Sequence, residues 1–337
     1  MPEAQVRDVA RLAGVSPATV SNAMNHPDKV SPATRDRVHA AIAELGFVRN
    51  SAAHQLRRGT NRAVGMVVLD VANPFFTDVA RGVEEGLAAE GRPLILGNSG
   101  QDAARETAYL DLFEEQRVSG LLVTPVGDTL PRLRRLRDRG TSVVLVDRRV
   151  GVREFSSVTV DDRRGGRLAT EHLLALGRTS VAFVGGPPRL NQVRHRLEAA
   201  RAAVDAHGSG SVRYVETASM DAAAGRAGAE RLLALDAPER PDAIFAGNDL
   251  VALGVLQALT RARVAVPDDI AIIGFDDIDF AASAAIPLTS VRQPAAEMGR
   301  TAATRLLEII EDPSTSSVVH TVLEPELVVR ESTAGPG

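Results

Sequence analysis

Cysteine is absent from the 337 residues, which excludes disulfides, thiolate metal sites and cysteine nucleophiles together. Tryptophan is absent too, and with aromatics at 3% an adjacent pair such as Phe75-Phe76 is too scarce to be filler. Lysine occurs once, at Lys29, against 38 arginines, so contacts to phosphate must fall to guanidinium groups or the main chain. No apolar run approaches the roughly 18 residues that span a bilayer. The N-terminal MPEAQVRDVARLAG carries charge where a signal peptide has its apolar stretch, so a cytoplasmic, nucleoid-associated protein with no membrane partner is expected. Loops of the form G-x-G-x-x-G or G-x-x-x-x-G-K-[ST] and the H-E-x-x-H motif are missing, and the seven histidines have no ligand spacing. Neither catalysis nor a cofactor or metal is expected.

What is present is the composition of a soluble globular protein, 44% apolar and 24% charged, long enough for two or three compact units. The net charge of −4 hides an asymmetry. Residues 1–62 carry nine Lys/Arg and five Asp/Glu, or +4, leaving 30 − 38 = −8 for the remainder. A basic end of this kind can meet a polyanion, although +4 is also what an ordinary solvated surface carries.

Three short helical patterns occupy that end. Val6, Val9, Ala10 and Ala13 share one helical face before Gly14, which suits a left-handed helix terminus. Ser16-Pro17 then supplies an N-cap hydroxyl and a first-turn proline for a second helix running to about Asn25. Ser31-Pro32 repeats the pattern, and Val38, Ile42 and Leu45 follow at helical spacing until Gly46. Two helices joined by a short Gly-containing turn make a helix-turn-helix, whose second helix presents its N-terminal side chains to base edges. With Val20 and Met24 turned to the core, Ala18, Ser21, Asn22 and Asn25 face outward with a methyl, a hydroxyl and amides. Spacing alone fits a generic three-helix packing element equally well.

The wording of the segment is more specific. DVARLAGVSPATVSNAMN followed by KVSPATRDRVHAAIAELGF closely resembles the DNA-binding headpiece of the LacI/GalR family of bacterial repressors, continuously from about Val6 to Leu56. The resemblance implies that Pro17, Ala18 and Asn22 read bases, while Ser16, Thr19, Ser21, Asn25, Ser31 and Thr34 make phosphate or supporting contacts. Gln5 stands where many members have a capping Thr, and Asn22 where several carry Arg, which would alter base preference. The polar stretch from Asn50 to Gly59 is too short for a stable isolated helix. In the resembling family it becomes a hinge helix on operator binding, which would place Asn50 at its start, Ala53 where two such helices approach and Leu56 as a minor-groove wedge.

From Ala63 the chain alternates apolar runs with amphipathic helices, as an α/β fold of parallel sheets must. AVGMVVLD, PLILGN, GLLVTP and SVVLVD form one series; VAFVGG, VRYVET, AIFAGN and IAIIGFD form a second after a break near Val160 to Asp162. LTSVRQ and VVHTVLEPELVV bracket a helix from about Pro294 to Ile310, so the chain should revisit the first unit and end in the second. The expected architecture is an all-α helix-turn-helix headpiece (1–49), a hinge (50–61), and an α/β core (62–330) of two doubly wound parallel-sheet subdomains. The N-subdomain is read as about 62–160 plus 291–318, the C-subdomain as about 161–290 plus 319–330, and 331–337 as a tail. By resemblance the core is like a periplasmic binding protein.

Ligands of open α/β sheets bind beyond the carboxyl ends of strands, where Asp70, Asn98, Asp147, Asn248 and Asp276 stand. Each taken singly suits a cap or turn. Asn73-Pro74 opens the first helix of the core and leads into the two phenylalanines. The resemblance assigns the effector pocket to Asp147, Arg196, Asn248-Asp249, Asp276 and Gln293, with Met220 on the far wall. Of the two scarce phenylalanines one, taken as Phe75, should face the cleft as an apolar platform and the other join Val79, Val83 and Leu87 in the core. Carboxylates, amides and a guanidinium suit a polyhydroxylated ligand. Leu190 stands where purine-responsive relatives have a polar group, which favours a neutral mono- or disaccharide over a purine, a sugar phosphate or a phosphocarrier-protein corepressor. The expectation is a homodimeric repressor on pseudo-palindromic double-stranded operator DNA, since the tail lacks tetramerising heptads. A free solute-binding protein would explain the core but not the headpiece.

Overall fold

The computed structural model describes residues 4–47, 62–148, 153–313 and 317–334. Two compact units result, Met1–Thr60 and Asn61–Gly337. Asn50, Ala53 and Leu56, the expected hinge positions, lie outside the described residues.

In the first unit α1 (Val6–Ala13) ends at Gly14, whose φ of 64° places it in the left-handed region. Gln5 does not leave the helix start open: the Asp8 carboxylate accepts its backbone N–H at 3.0 Å, half of a capping box. Helix α2 (Pro17–Asn25) begins under Ser16, whose Oγ accepts the Thr19 N–H at 3.1 Å. Helix α3 (Pro32–Leu45) differs from the expectation at both ends. Ser31 makes no cap to the backbone and instead donates its hydroxyl to Thr34 Oγ1 at 3.0 Å. Leu45 is exposed, and Phe47 packs on the core in its place, because left-handed Gly46 turns the chain so that Phe47 N–H reaches Ile42 C=O at 3.0 Å. The core itself is Val9, Ala10, Ala13, Val20, Ala23, Val38 and Ala41, mostly small residues that let three short helices approach.

The second unit holds two six-stranded sheets. The first is wholly parallel, with β1 (Val64–Val68), β2 (Leu94–Asn98), β3 (Gly120–Val123), β4 (Ser142–Val146), β5 (Ser156–Val160) and β11 (His320–Leu323) in the order β11-β5-β4-β3-β1-β2. The second contains β6 (Ser180–Gly185), β7 (Ser211–Glu216), β8 (Ala243–Ala246), β9 (Ala271–Asp276), β10 (Thr289–Arg292) and β12 (Glu326–Val328) in the order β12-β10-β9-β8-β6-β7, with only β12 antiparallel. Helices α4 (Pro74–Ala88), α5 (Ala103–Glu115) and α6 (Leu130–Asp138) serve the first sheet; α7 (Asp162–Ala175), α8 (Asn191–His207), α9 (Ala222–Leu233), α10 (Asp249–Arg261) and α11 (Asp279–Ala282) serve the second. Helix α12 (Ala295–Glu311) returns to the first and lies against α4 so closely that a Cβ on Gly82 would stand 2.1 Å from Ala296 O.

Three details correct the sequence reading. Strand β5 is absent from the expected series, because SSVTV is short and half polar; pairing with β4 and β11 buries it all the same. The run VVHTVLEPELVV is two strands in different sheets, parted at Glu324-Pro325, where proline has no N–H to continue a ladder. The subdomain boundaries expected at 291 and 319 therefore shift: all of β10 belongs to the second sheet and β11 to the first. Finally, the expected tail carries α13 (Glu331–Ala334), with Ser332 and Thr333 buried. Ser332 Oγ accepts Thr289 N–H at 2.8 Å and donates to Ile272 C=O at 2.7 Å, so this end segment is part of the second sheet's support.

Candidate functional site

On α2, Pro17, Ala18 and Asn22 are exposed, and Ser16 just before them is exposed as well. Val20 is fully buried and Met24 packs on the core, so the helix divides into an inward apolar face and an outward polar one. Thr19 and Ser21 sit half-buried between the two faces, and Thr19 Oγ1 lies 2.8 Å from Ser16 Oγ. Ser31 is exposed and Thr34 half-buried at the start of α3. Asn25 closes α2 at its C-terminal end.

In the second unit the carboxyl ends of both sheets border one cleft, open at its mouth, whose empty space is about 450 Å³ when the solvent-exposed part at the mouth is included. The structure brings Phe75, Asp147, Arg196, Met220, Asn248, Asp276 and Gln293 together around it. Arg196, on α8, is almost wholly buried. Its Nε and Nη2 both lie 2.8 Å from Asp162 Oδ1, Nη1 donates to Gly247 C=O at 2.7 Å, and the guanidinium carbon sits 3.4 Å from the Phe275 ring centroid. Salt bridge, carbonyl and ring fix the guanidinium plane, with Nη1 4.0 Å from Asp276 Oδ1.

Asp276 ends β9 and accepts two amide donors, Gln293 Nε2 on Oδ1 at 2.7 Å and Asn73 Nδ2 on Oδ2 at 2.9 Å. Burial pushes its carboxyl above the usual range, outweighing the opposing pull of Arg196 and of those two donors. Asp147, after β4, accepts no side-chain hydrogen bond from the described residues and has a left-handed φ of 58°. Burial, then repulsion from Asp162, raise its carboxyl well above the usual range, with Arg196 pulling the other way and Asp276 adding to the rise. Gln293 Oε1 is buried without a partner among the described residues. Gln293 Oε1 is thus an acceptor in need of a donor, and the neutral Asp147 carboxyl can donate as well as accept, a pairing that hydroxyl groups on a ligand can meet.

The remaining positions divide between lining and support. Asn248 caps α10, accepting Val251 N–H at 2.9 Å while donating to Met220 C=O at 3.1 Å, so its amide shapes the wall that it lines. Met220 and Leu190 supply the apolar side. Phe75 and Phe76 both border the cavity, ring centroids 5.0 Å apart and edge to face, and Phe76 also packs in the core with Val79, Val83 and Leu87 as expected. Asp249 does not line the cavity; it is fully buried behind it, contrary to its reading as a pocket residue. Asn98 is a turn former, accepting Gly100 N–H at 3.1 Å.

Sequence reasoning misses Asn73, Gln101 and Gln192 as pocket residues, yet all three line the cavity. Asn73 does open α4 as expected, accepting Phe75 N–H at 3.1 Å, but a carboxamide has a second half, and its N–H2 crosses to Asp276. Gln101 and Gln192 carry no signal, since glutamine in a loop or first helical turn is ordinary.

Helix-turn-helix and cleft have direct counterparts. Residues 5–50 match the family described as bacterial regulatory proteins, lacI family, and residues 170–333 match the periplasmic binding protein-like domain. The HTH-type transcriptional repressor PurR of Aliivibrio fischeri (strain ATCC 700601 / ES114) is 33% identical over 98% of this chain and 98% of its own. The ribose operon repressor of Escherichia coli (strain K12) is 37% identical over 92% of this chain and 94% of its own. Among solved structures, the lac repressor dimer bound to operator and the anti-inducer ONPF is 26% identical with a TM-score of 0.81, covering 98% of this chain and 100% of that one. A LacI family transcriptional regulator from Enterococcus faecium with bound ribose is 29% identical with a TM-score of 0.73, covering 82% and 100%. The chain belongs to the lacI family of bacterial transcriptional regulators. It is a DNA-binding regulator with an effector-binding domain, not an enzyme.

Proposed function

We propose that this protein represses a carbohydrate-utilisation operon and that a small neutral sugar, ribose or a closely similar pentose, switches its affinity for the operator. The observation that carries the reading is the cavity that the Asp147 and Asp276 carboxyls, the Arg196 guanidinium and the Phe75-Phe76 pair line together. Adjacent sugar hydroxyls are donors to carboxylates, and the ring's apolar face suits an aromatic edge. A ribose-bound solved structure and a ribose operon repressor among the relatives support the same choice. The apolar Leu190 and the acceptor-rich interior argue against a purine or a phosphorylated sugar.

On the DNA side the proposal assigns base reading to Pro17, Ala18 and Asn22 and backbone or supporting contacts to Ser16, Thr19, Ser21, Asn25, Ser31 and Thr34. Asn50, Ala53 and Leu56 are assigned to a hinge at the centre of a pseudo-palindromic site read by a homodimer. A repressor of sugar use is relieved by the sugar itself, so ribose weakens operator binding, and by linkage operator weakens ribose binding by the same factor. Calorimetric titration with D-ribose, cellobiose, ribose 5-phosphate and hypoxanthine, followed by operator gel shifts with the ligand that binds, tests this. Binding of hypoxanthine or the phosphate in place of the neutral sugars would overturn it.

A further inference from the structure

Strand β9 ends on two consecutive non-glycine residues with positive φ, Asp276 at 109° and Asp277 at 57°. Such backbone is strained and persists only where its surroundings over-determine it. Past the strand end, the amides of Asp277 and Ile278 need partners outside the ladder, and side chains supply both. Ser290 Oγ accepts Asp277 N–H at 3.1 Å, and Asp249 Oδ2 accepts Ile278 N–H at 2.9 Å. The Ser290 hydroxyl in turn donates to Asp249 Oδ1 at 2.6 Å. Asp249 thus holds two successive amides, one directly and one through Ser290, and both side chains are fully buried. The fit leaves no room for change: a Cβ on Gly274 would stand 1.9 Å from Asp249 Oδ1. Arg292 and Arg330 hold Asp277 by its carboxylate from the other side, at 2.7 and 2.6 Å.

We infer that Asp249, which lies outside the cavity lining, is the positioning residue that aims the Asp276 carboxyl into the effector cleft, by pegging the backbone of the two residues that follow it. The inference rests on the reading of the cleft as the sugar site. Asp249 acts through geometry: without the pegs the positive-φ turn relaxes and Asp276 loses its register with Asn73, Gln293 and Arg196. Burial and the neighbouring Asp276 raise the Asp249 carboxyl well above the usual range, while asparagine keeps one oxygen for Ile278 N–H and puts an N–H2 where the second oxygen accepts the Ser290 hydroxyl.

The test uses the full-length protein and three variants, Asp249→Asn, Asp249→Ala and Ser290→Ala, read in two ways. The first is D-ribose affinity by calorimetry; the second is the titration of the Asp276 carboxyl in the ligand-free protein by carbon NMR, assigned by its loss in Asp276→Asn. Asp249→Ala and Ser290→Ala should each weaken ribose on the order of tenfold or more, the cost of misplacing a hydrogen bond to a charged group. Both should also shift the Asp276 titration, and Asp249→Asn, which keeps the direct peg to Ile278 but loses the acceptor for Ser290, should fall between the wild type and Asp249→Ala in both readouts. An unmoved Asp276 titration in both Asp249→Ala and Ser290→Ala would reduce Asp249 to general support and overturn the inference. If wild-type protein ignores ribose, the sugar reading fails while the titration still decides the role of Asp249. If Asp249→Ala does not fold, Ser290→Ala with Asp249→Asn decides it.

Discussion

Asn73, at the head of a helix on the first sheet, donates its carboxamide N–H to Asp276 at the end of a strand in the second sheet, 2.9 Å away and 203 residues later in the chain. One side chain therefore caps a helix and spans the cleft. The two roles can be separated. Asn73→Ser keeps a capping oxygen but cannot reach across, while Asn73→Ala loses both. Asn73→Ser should expand the ligand-free core in small-angle scattering without a large loss of stability, and Asn73→Ala should add about 1 kcal/mol of destabilisation from the lost cap. Equal scattering from wild type and both variants would show that the bond does not hold the cleft.

Asp147 stands in a cleft that favours its neutral form. Its folded-state affinity for the proton exceeds that of the unfolded chain, so its contribution to stability is complete below the ordinary carboxylate range and is lost as pH rises through the raised folded value. Asp147→Asn removes that loss. The variant should melt higher than wild type at neutral pH, each kcal/mol being worth roughly 2–4 °C at this size, with the difference closing toward acid, while ribose binding disappears. Melting curves between acid and neutral pH check the first part; a wild-type advantage at neutral pH would contradict it.

The same carboxyl should report on the ligand. Sugar hydroxyls stabilise the ionised form, so binding lowers the proton affinity of Asp147 and releases protons. Ribose affinity accordingly rises with pH until the ligand-free carboxyl is already ionised. Calorimetry in buffers of different ionisation enthalpy measures the release, and no buffer dependence would mean that the carboxyl stays in one state.

Ser332 satisfies two buried backbone groups of the second subdomain at once, an N–H and a C=O. Ser332→Ala orphans both, at 1–3 kcal/mol apiece, so a loss of about 2–6 kcal/mol is expected. Chemical denaturation of the core measures it. A change below about 0.5 kcal/mol would place this end segment outside the cooperative unit.

In the headpiece, capping and base reading are assigned to neighbouring residues and should separate in a binding assay. Ser16→Ala removes the hydroxyl that caps α2, costs about 1 kcal/mol of headpiece stability and weakens all operator sequences alike. Asn22→Ala leaves stability unchanged and relaxes preference at one base pair of each half-site. Operator libraries scored against both variants distinguish the effects.

Much of the fold is legible in the amino-acid sequence, for identifiable reasons. Helix ends in the headpiece are marked by Gly14, Ser16-Pro17 and Gly46, residues whose backbone chemistry allows little else. Interior strands such as β1 and β4 are buried on both faces and therefore read as unbroken apolar runs. Strand β5 escapes that pattern because its Ser156 and Ser157 are buried by hydrogen bonding, Ser157 Oγ to His320 Nδ1 at 2.8 Å among them. The cleft residues are legible through wording shared with a family. Those that are not, Asn73 above all, do ordinary local work that composition and spacing already explain. Asp249 belongs to the right motif but not to the pocket wall, since a sequence cannot tell a carboxylate facing a cavity from one facing the loop behind it.

The interleaving of the two sheets sets an order on the birth of the molecule. Headpiece core contacts are local, so that unit can be complete while the ribosome is still working through the first sheet. The first sheet receives its outer strand only when His320 emerges, 163 residues after the Ser157 beside which it lies, and the second waits for Ser332. Every nascent chain thus passes through a long interval in which its headpiece is finished but it holds no finished cleft to hear the effector.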